Sequence, residues 1–216
     1  MCSCNQSKPD TWYARLFARV YNPVMSSIEK KILFPRRKQL LSELSGTVLE
    51  VGAGTGINFP LYPSHTKVIA CEPSAAMLQY AANKIKTDSL ENIDLIHAGV
   101  GDEALLLAIP EGGVDAIVCT LVLCTIPDPK AALTDLQKWL KPGGRLIVLE
   151  HIKARGFIGR SLQWLFNPIW KRLAEGCHLN RSTDQLLKTF DLTIEQEAYF
   201  SRGIPFYQAV LIKNDL

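Results

Sequence analysis

Three glycines at alternate positions, Gly52, Gly54 and Gly56, close a short apolar run, Thr47-Val48-Leu49-Glu50-Val51. Glycine adopts left-handed backbone at no steric cost and leaves main-chain N–H groups open to a ligand, so a strand that ends this way presents a binding site. A plain tight turn would account for the glycines taken alone. The next apolar run, Lys67-Val68-Ile69-Ala70-Cys71, ends at Glu72, twenty positions after Gly52. There a doubly wound sheet places a carboxylate that accepts hydrogen bonds from ribose hydroxyls. Together the two features predict an adenosine-containing ligand.

Three ligand classes compete for such a site. A phosphate-cradling loop ends in Gly-Lys-Ser or Gly-Lys-Thr, whereas Thr55-Gly56-Ile57-Asn58 follows here. A dinucleotide fingerprint carries its third glycine three positions after the second; Ile57 stands there, which disfavours NAD or FAD without excluding them. S-adenosylmethionine is the remaining candidate, since it has no pyrophosphate and needs only open backbone beside its methionine half.

Val48-Leu49-Glu50-Val51-Gly52-Ala53-Gly54-Thr55-Gly56 resembles motif I of the class I S-adenosylmethionine-dependent methyltransferases, of the methyltransferase type 11 kind, and the likeness runs from about Leu40 to the C-terminus. A narrower match joins Cys119-Thr120-Leu121-Val122-Leu123-Cys124, Lys141-Pro142-Gly143-Gly144-Arg145, Glu150-His151, Asn167-Pro168-Ile169-Trp170 and Gly176-Cys177. These resemble the methyltransferase-like branch whose animal members methylate alkyl thiols; quinone-biosynthesis and phospholipid methyltransferases share the order of motifs less closely. The resemblance implies an enzyme that moves a methyl group from S-adenosylmethionine to a small, apolar acceptor, such as a thiol, leaving S-adenosylhomocysteine. A phospholipid or quinone acceptor is the alternative, and a non-catalytic S-adenosylmethionine-binding regulatory protein is the alternative of another class.

The same resemblance implies the cofactor-binding residues. Glu50, Gly52, Ala53, Gly54, Thr55, Gly56 and Asn58 come from the first strand and its turn, and Glu72, Pro73 and Met77 from the second strand and the helix after it. Val100, Gly101 and Asp102 form the exit loop of the third strand, and Thr120, Leu121 and Cys124 follow the fourth. Leu121 is expected to make a backbone contact, and Cys124 to face the transferred methyl. A thiol acceptor is only a few per cent thiolate at neutral pH, so a base or cation would help. His151, His178, Tyr199 and Tyr207 are the candidates, with Asp184 beside them.

The elements that must position these groups follow from periodicity. Apolar positions at helical spacing predict two or three helices over residues 11–44, punctuated by Pro23 and Pro35. In the resembling family such helices cover the cofactor cleft, which makes Trp12, Tyr13, Tyr21 and Asn22 candidates to touch ligand. Strands are expected at 47–51, 67–72, 92–98, 114–120 and 145–150, alternating with helices as in a parallel, doubly wound α/β sheet. Residues 157–173 are greasy enough to roof an acceptor pocket, with Pro168 dividing them, and 192–199 and 206–212 read as a closing antiparallel hairpin. The expected fold is therefore a seven-stranded Rossmann-like methyltransferase sheet. It comprises N-terminal covering helices (1–45), a cofactor-binding core (46–150), roof helices (151–190) and the hairpin (191–216), all one domain of 216 residues.

The longest apolar run, residues 116–126, is too short to cross a bilayer, and no signal-peptide core precedes it. No transmembrane segment, a cytoplasmic location and no nucleic-acid partner are expected. The thiol-methylating animal relatives typically begin with a hydrophobic anchor, which is not seen here. Residues 1–41 carry eight Lys or Arg against two acids, so peripheral contact with a membrane stands against a merely solvated helix face. The six cysteines show no pairing pattern, and no metal is expected; Cys2 and Cys4 would need Cys177 and His178 to complete a zinc site.

Overall fold

The computed structural model describes residues 10–215. Helix α1 (Trp12–Ile28) starts at Thr11, whose hydroxyl accepts from the N–H of Ala14, and passes through one wide π turn (Glu29–Leu33) into α2 (Phe34–Leu41). Pro35 opens α2 as expected, but Pro23 lies inside α1 and does not break it. Then follow β1 (Thr47–Val51), β2 (Lys67–Cys71), α3 (Ala75–Thr87), β3 (Ile93–Ile96), α4 (Glu103–Ala108), β4 (Val114–Thr120), α5 (Pro129–Trp139) and β5 (Leu140–His151). The chain closes with α6 (Phe157–Leu173), α7 (Thr183–Leu187), β6 (Leu192–Arg202) and β7 (Ile204–Lys213).

The seven strands form one sheet in the order β3-β2-β1-β4-β5-β7-β6. The first five are parallel, while β7 pairs antiparallel with both β5 and β6. This is the expected doubly wound sheet with its closing hairpin. Strand order reverses between β1 and β4, so their C-terminal ends diverge into a crevice where ligands bind in open α/β sheets.

Alternation along the strands sorts side chains onto two faces. Val48 of β1 enters the cluster under α2 with Leu41 and Phe59, and Leu49 and Val51 enter the opposite cluster with Leu133 and Leu136 of α5. Glu50 shares the face of Val48. In β5, Ile147 and Leu149 lie on the α2 side and Leu146 and Val148 on the α5 side. His151 therefore belongs to the α2 side, opposite Phe206 in the register of β5 with β7.

Three expectations about local structure are corrected. Residues 141–144, expected as a turn, are absorbed into β5 as an irregularity, because Val114 pairs with Leu140 but Ala116 already pairs with Arg145. The third strand is shorter than 92–98. Pro168 lies inside an unbroken α6, none of whose residues is buried. Its polar side faces the protein, where Gln163 accepts from Ala154 N and donates to Ile152 O, and Asn167 accepts from Leu179 N. Phe157, Trp164 and Ile169 are left exposed.

Leu49 is fully buried in a central strand. Leu49→Ala should cost about 2–5 kcal/mol, read as a lower urea midpoint with an unchanged slope.

Candidate active site

The crevice between the ends of β1 and β4 opens into a cleft of about 460 Å³, within the range of small-molecule sites. Gly52, Ala53, Gly54 and Thr55 form one wall, Glu72, Pro73, Ser74 and Met77 a second, and Thr120, Leu121, Val122 and Cys124 a third. Phe17 and Tyr21 of α1, Trp170 and Leu173 of α6, and Ile204 and Phe206 of β7 close it. Gly52 and Gly54 both have positive φ, for different reasons. A Cβ at Gly52 would lie 2.3 Å from the Val122 side chain, whereas one at Gly54 meets nothing within 4 Å. Gly52 admits the neighbouring loop, and Gly54 offers bare main chain to the cleft.

Three buried carboxylates shape these walls. Glu72 accepts from Gly54 N (2.9 Å) and Ser74 N (2.8 Å), tying the glycine turn to the start of α3. Glu150 accepts from Val122 N (2.6 Å) and Leu123 N (2.7 Å), just after Leu121, a non-glycine residue at φ 55°. Glu50 sits behind the wall, accepting from Asn58 Nδ2 (2.8 Å) and the Tyr62 hydroxyl (2.9 Å). Burial raises both Glu50 and Glu150 to about 7, against the pull of their hydrogen bonds.

Two arginines absent from the sequence reading brace this frame. Arg37, buried in α2, donates to Asn58 Oδ1 (2.9 Å) and Thr120 Oγ1 (2.6 Å) and pairs with Glu29 at 3.0 Å, an ion pair without hydrogen-bond alignment. Arg181 donates to the carbonyls of Leu123 and Ile126 (2.6 Å for the latter). No motif marks either one, since each acts through backbone or side chains distant in sequence.

At the α6 end of the cleft, Cys124, His151 and Cys177 converge. His151 Nε2 lies 3.0 Å from Cys177 Sγ, and the two sulfurs are 3.6 Å apart, in hydrogen-bond contact. That contact pulls Cys177 below the ordinary thiol range, with help from His151 and against burial, and it pushes Cys124 up. Burial works to lower His151, but its Cys177 contact and the nearby acids leave it raised.

The sequence-predicted residues divide accordingly. Gly52, Ala53, Gly54, Thr55, Asn58, Glu72, Pro73, Met77, Thr120, Leu121, Cys124 and His151 line the cleft. Glu50 and Gly56 stand behind it. Val100, Gly101 and Asp102 are outside its walls, and Asp102 accepts from Gly99 N (2.8 Å) to close its own loop. Of the cap candidates, Tyr21 lines the cleft and Asn22 accepts from the Thr55 hydroxyl (2.9 Å), while Trp12 is exposed and Tyr13 donates to Leu173 O.

His178, Tyr199 and Tyr207 are not brought to the cleft. The His178 N–H donates to Cys124 O, and its side chain lines no wall. Tyr207 follows Phe206 and so faces the other side of the sheet, where it donates to Glu197 (3.0 Å) and packs on Tyr199. Tyr199 contacts the buried Asp184 at 3.4 Å. Cys2 and Cys4, which would need Cys177 and His178 to complete a zinc site, lie outside the described residues.

Residues 49–148 match the family model described as methyltransferase domain. Thiol S-methyltransferase TMT1B of Rattus norvegicus is 34% identical over 172 residues, covering 79% of this chain and 69% of the relative. The chain belongs to the class I S-adenosylmethionine-dependent methyltransferases. Human thiol S-methyltransferase TMT1A, 30% identical over 178 residues with 80% of this chain and 70% of the relative covered, places it beside the alkyl-thiol branch. A SAM-dependent methyltransferase from Aquifex aeolicus shares the fold at a TM-score of 0.60, with 18% identity and coverage of 95% of this chain and 100% of that one. This methyltransferase therefore takes S-adenosylmethionine as its methyl donor.

The raised carboxyls make the stability of the methyltransferase pH-dependent. Folded Glu50 and Glu150 hold protons that the unfolded chain, near 4.5, has released. Their contribution is complete below the ordinary carboxylate range and is lost as pH rises through about 7. Urea midpoints should fall between about pH 5 and about pH 8, and Glu150→Gln should flatten that slope.

Proposed function

We propose that this methyltransferase methylates the sulfur of a small apolar thiol. The observation that carries the reading is the meeting, in one cleft, of an open glycine turn with Glu72 at one end and an apolar chamber ending in Cys124, His151 and Cys177 at the other. The thiol S-methyltransferases at 30–34% identity support it.

The donor fits the first end. Gly54 leaves its main chain uncovered, and the Glu72 carboxylate lies within hydrogen-bond reach of that same N–H. Gly52 to Thr55, Glu72, Met77 and Leu121 would hold it, with its sugar at Glu72. When bound, it supplies a methyl group already activated on a sulfonium. The protein then has to align the acceptor sulfur with the methyl carbon, and positioning of this kind is worth up to about 7–11 kcal/mol. Phe17, Tyr21, Trp170, Leu173 and Phe206 exclude water and favour an apolar acceptor. His151, the one imidazole in the cleft wall, stands beside the place the acceptor sulfur would take.

The outward faces of α1 and α6 support peripheral contact with an anionic membrane surface. Trp12 and Trp164 are each 74% exposed, and Val24, Leu16, Phe157, Ile158 and Leu165 join them. Both helices carry Arg or Lys (Arg15, Arg19, Arg160, Lys171, Arg172) and no Asp or Glu. An apolar face rimmed mainly by cations suits an interface of anionic lipid, and both helices contribute to the mouth of the cleft, which would bring apolar acceptors to it. Among the described residues no helix is long and apolar enough to cross a membrane.

Calorimetry with S-adenosylmethionine should show donor binding weakened about 10- to 100-fold by Glu72→Ala, as loss of a charged hydrogen-bond acceptor implies. Wild-type protein should then methylate alkyl thiols in preference to phospholipid or quinone acceptors; the reverse preference, or binding without turnover on any acceptor, would replace the thiol reading. Sedimentation with phosphatidylserine vesicles should carry down the wild type and lose it with Trp164→Glu. Equal recovery of both in the supernatant would exclude the membrane face.

A further inference from the structure

We propose that Cys124, His151 and Cys177 form a zinc site whose open coordination position receives the acceptor thiol. The binding of metal rests on the three side chains alone; its role in catalysis rests on the thiol reading above.

The three residues come from separate elements. Cys124 lies in the loop between β4 and α5, His151 ends β5, and Cys177 follows α6. Their donor atoms nevertheless all lie within 4.8 Å of one another, and all three side chains line the cleft. Two sulfurs and an imidazole nitrogen are a soft donor set that suits zinc over magnesium or calcium. With Zn–S about 2.3 Å and Zn–N about 2.0–2.1 Å, a tetrahedral site has S···S edges of about 3.8 Å and S···N edges of about 3.6 Å. The observed separations are 3.6 Å between the sulfurs and 3.0 Å from His151 Nε2 to Cys177. The third edge, Cys124 to His151, lies within 4.8 Å, so an ion could be seated by shifts of about 1 Å in atoms at the ends of side chains.

The surroundings are compatible with such a site. Cys124 is 1% exposed and Cys177 8%, so both thiols are shielded from bulk solvent. Among the described residues the buried His151 Nδ1 has no hydrogen-bond partner, while Nε2 faces Cys177. Glu150 and Arg181 fix the backbone of the loop that carries Cys124, and the His178 N–H bonds the Cys124 carbonyl, tying that loop to the segment of Cys177. Three protein ligands leave the fourth position open, as in catalytic rather than structural zinc sites.

In that position the acceptor's S–H bond breaks, its proton leaves to solvent, and the sulfur binds zinc as thiolate. One sulfur electron pair then forms the bond to the methyl carbon while the bond from that carbon to the donor sulfonium breaks, its electrons returning to the donor sulfur. The methylated product is a neutral thioether, a weaker zinc ligand than a thiolate, and is released.

The test uses the full chain, reduced with a phosphine so that no buffer thiol competes. Atomic emission should find one zinc per chain. Cobalt(II) added to metal-stripped protein should give sulfur-to-cobalt charge-transfer absorption with the strong ligand-field bands of a tetrahedral site, and an alkyl thiol should shift those bands. Cys124→Ser and Cys177→Ser should each weaken metal affinity by about 10-fold or more. Should either variant fail to fold, peptide mapping after alkylation of the wild type gives the same information: zinc should lower labelling of Cys124 and Cys177 relative to the metal-stripped chain. A reduced wild-type chain that binds S-adenosylmethionine yet takes up neither zinc nor cobalt overturns the site, as does metal uptake that leaves both thiols unprotected. A metal-loaded chain that binds the donor but methylates no thiol keeps the site and overturns the thiol reading instead.

Discussion

The Glu150 carboxylate, holding the N–H groups of Val122 and Leu123 through one oxygen, is the contact on which the geometry of the cleft depends. A chain leaving β4 would otherwise have two buried donors without partners, each costly in a dry interior. With them satisfied, Leu121 can take a left-handed conformation, Val122 can press against the bare α-carbon of Gly52, and Cys124 arrives beside Cys177. Arg181 secures the carbonyls of the same loop from the opposite side. The loop is thus fixed through both its donors and its acceptors, and the crevice at the switch point keeps one shape.

Glu72 does for the β1 turn what Glu150 does for the β4 loop. Glu72 just follows β2 and Glu150 is the penultimate residue of β5, and each binds backbone N–H groups in the loop that leaves the neighbouring strand. Glu50, one residue off the alternation that faces the α5 core, is diverted into the polar cluster of Asn58, Tyr62, Thr120 and Arg37. Buried polar groups of this kind stabilise only when their partners are present, which ties the fold of the core to correct docking of α2.

The cap is built on the opposite logic. Helices α1 and α6 turn small or polar side chains inward, Ala14 and Ala18 in one and Gln163 and Asn167 in the other, and leave Trp12, Val24, Phe157, Ile158 and Trp164 outside. The α6 half of this roof is fastened by hydrogen bonds, whereas α1 shares a small core with Ala76 and Met77 of α3. The roof's apolar surface is available to a membrane, and its inner rim of Phe17, Trp170 and Leu173 to an acceptor.

Much of this was legible from local patterns. Strand β4 matched its expected span because a continuous apolar run covered on both faces has few other solutions, and the spacing from Gly52 to Glu72 reflects the length of the connection from β1 and of β2 itself. Helix breaks at Pro23 and Pro168 were misjudged, since a proline signals lost backbone bonding but not whether surrounding structure absorbs it. Tyr207 was placed at the site although a shift of one residue along a strand reverses the face, a distinction set by the pairing of β5 with β7.

What the sequence alone determined was the alternation of elements, the open turn at Gly54, the acid at Glu72 and membership of the methyltransferases, all of which are encoded in residues close together along the chain. What tertiary structure decided was everything that depends on meetings between distant segments. It brought Cys124, His151 and Cys177 to one wall, put Arg37 beneath Thr120, and turned the greasy side of α6 outward. Periodicity shows that a helix has an apolar face but not which way it turns, and spacing cannot show which of several cysteines and histidines will converge, because sheet register and helix docking set those distances.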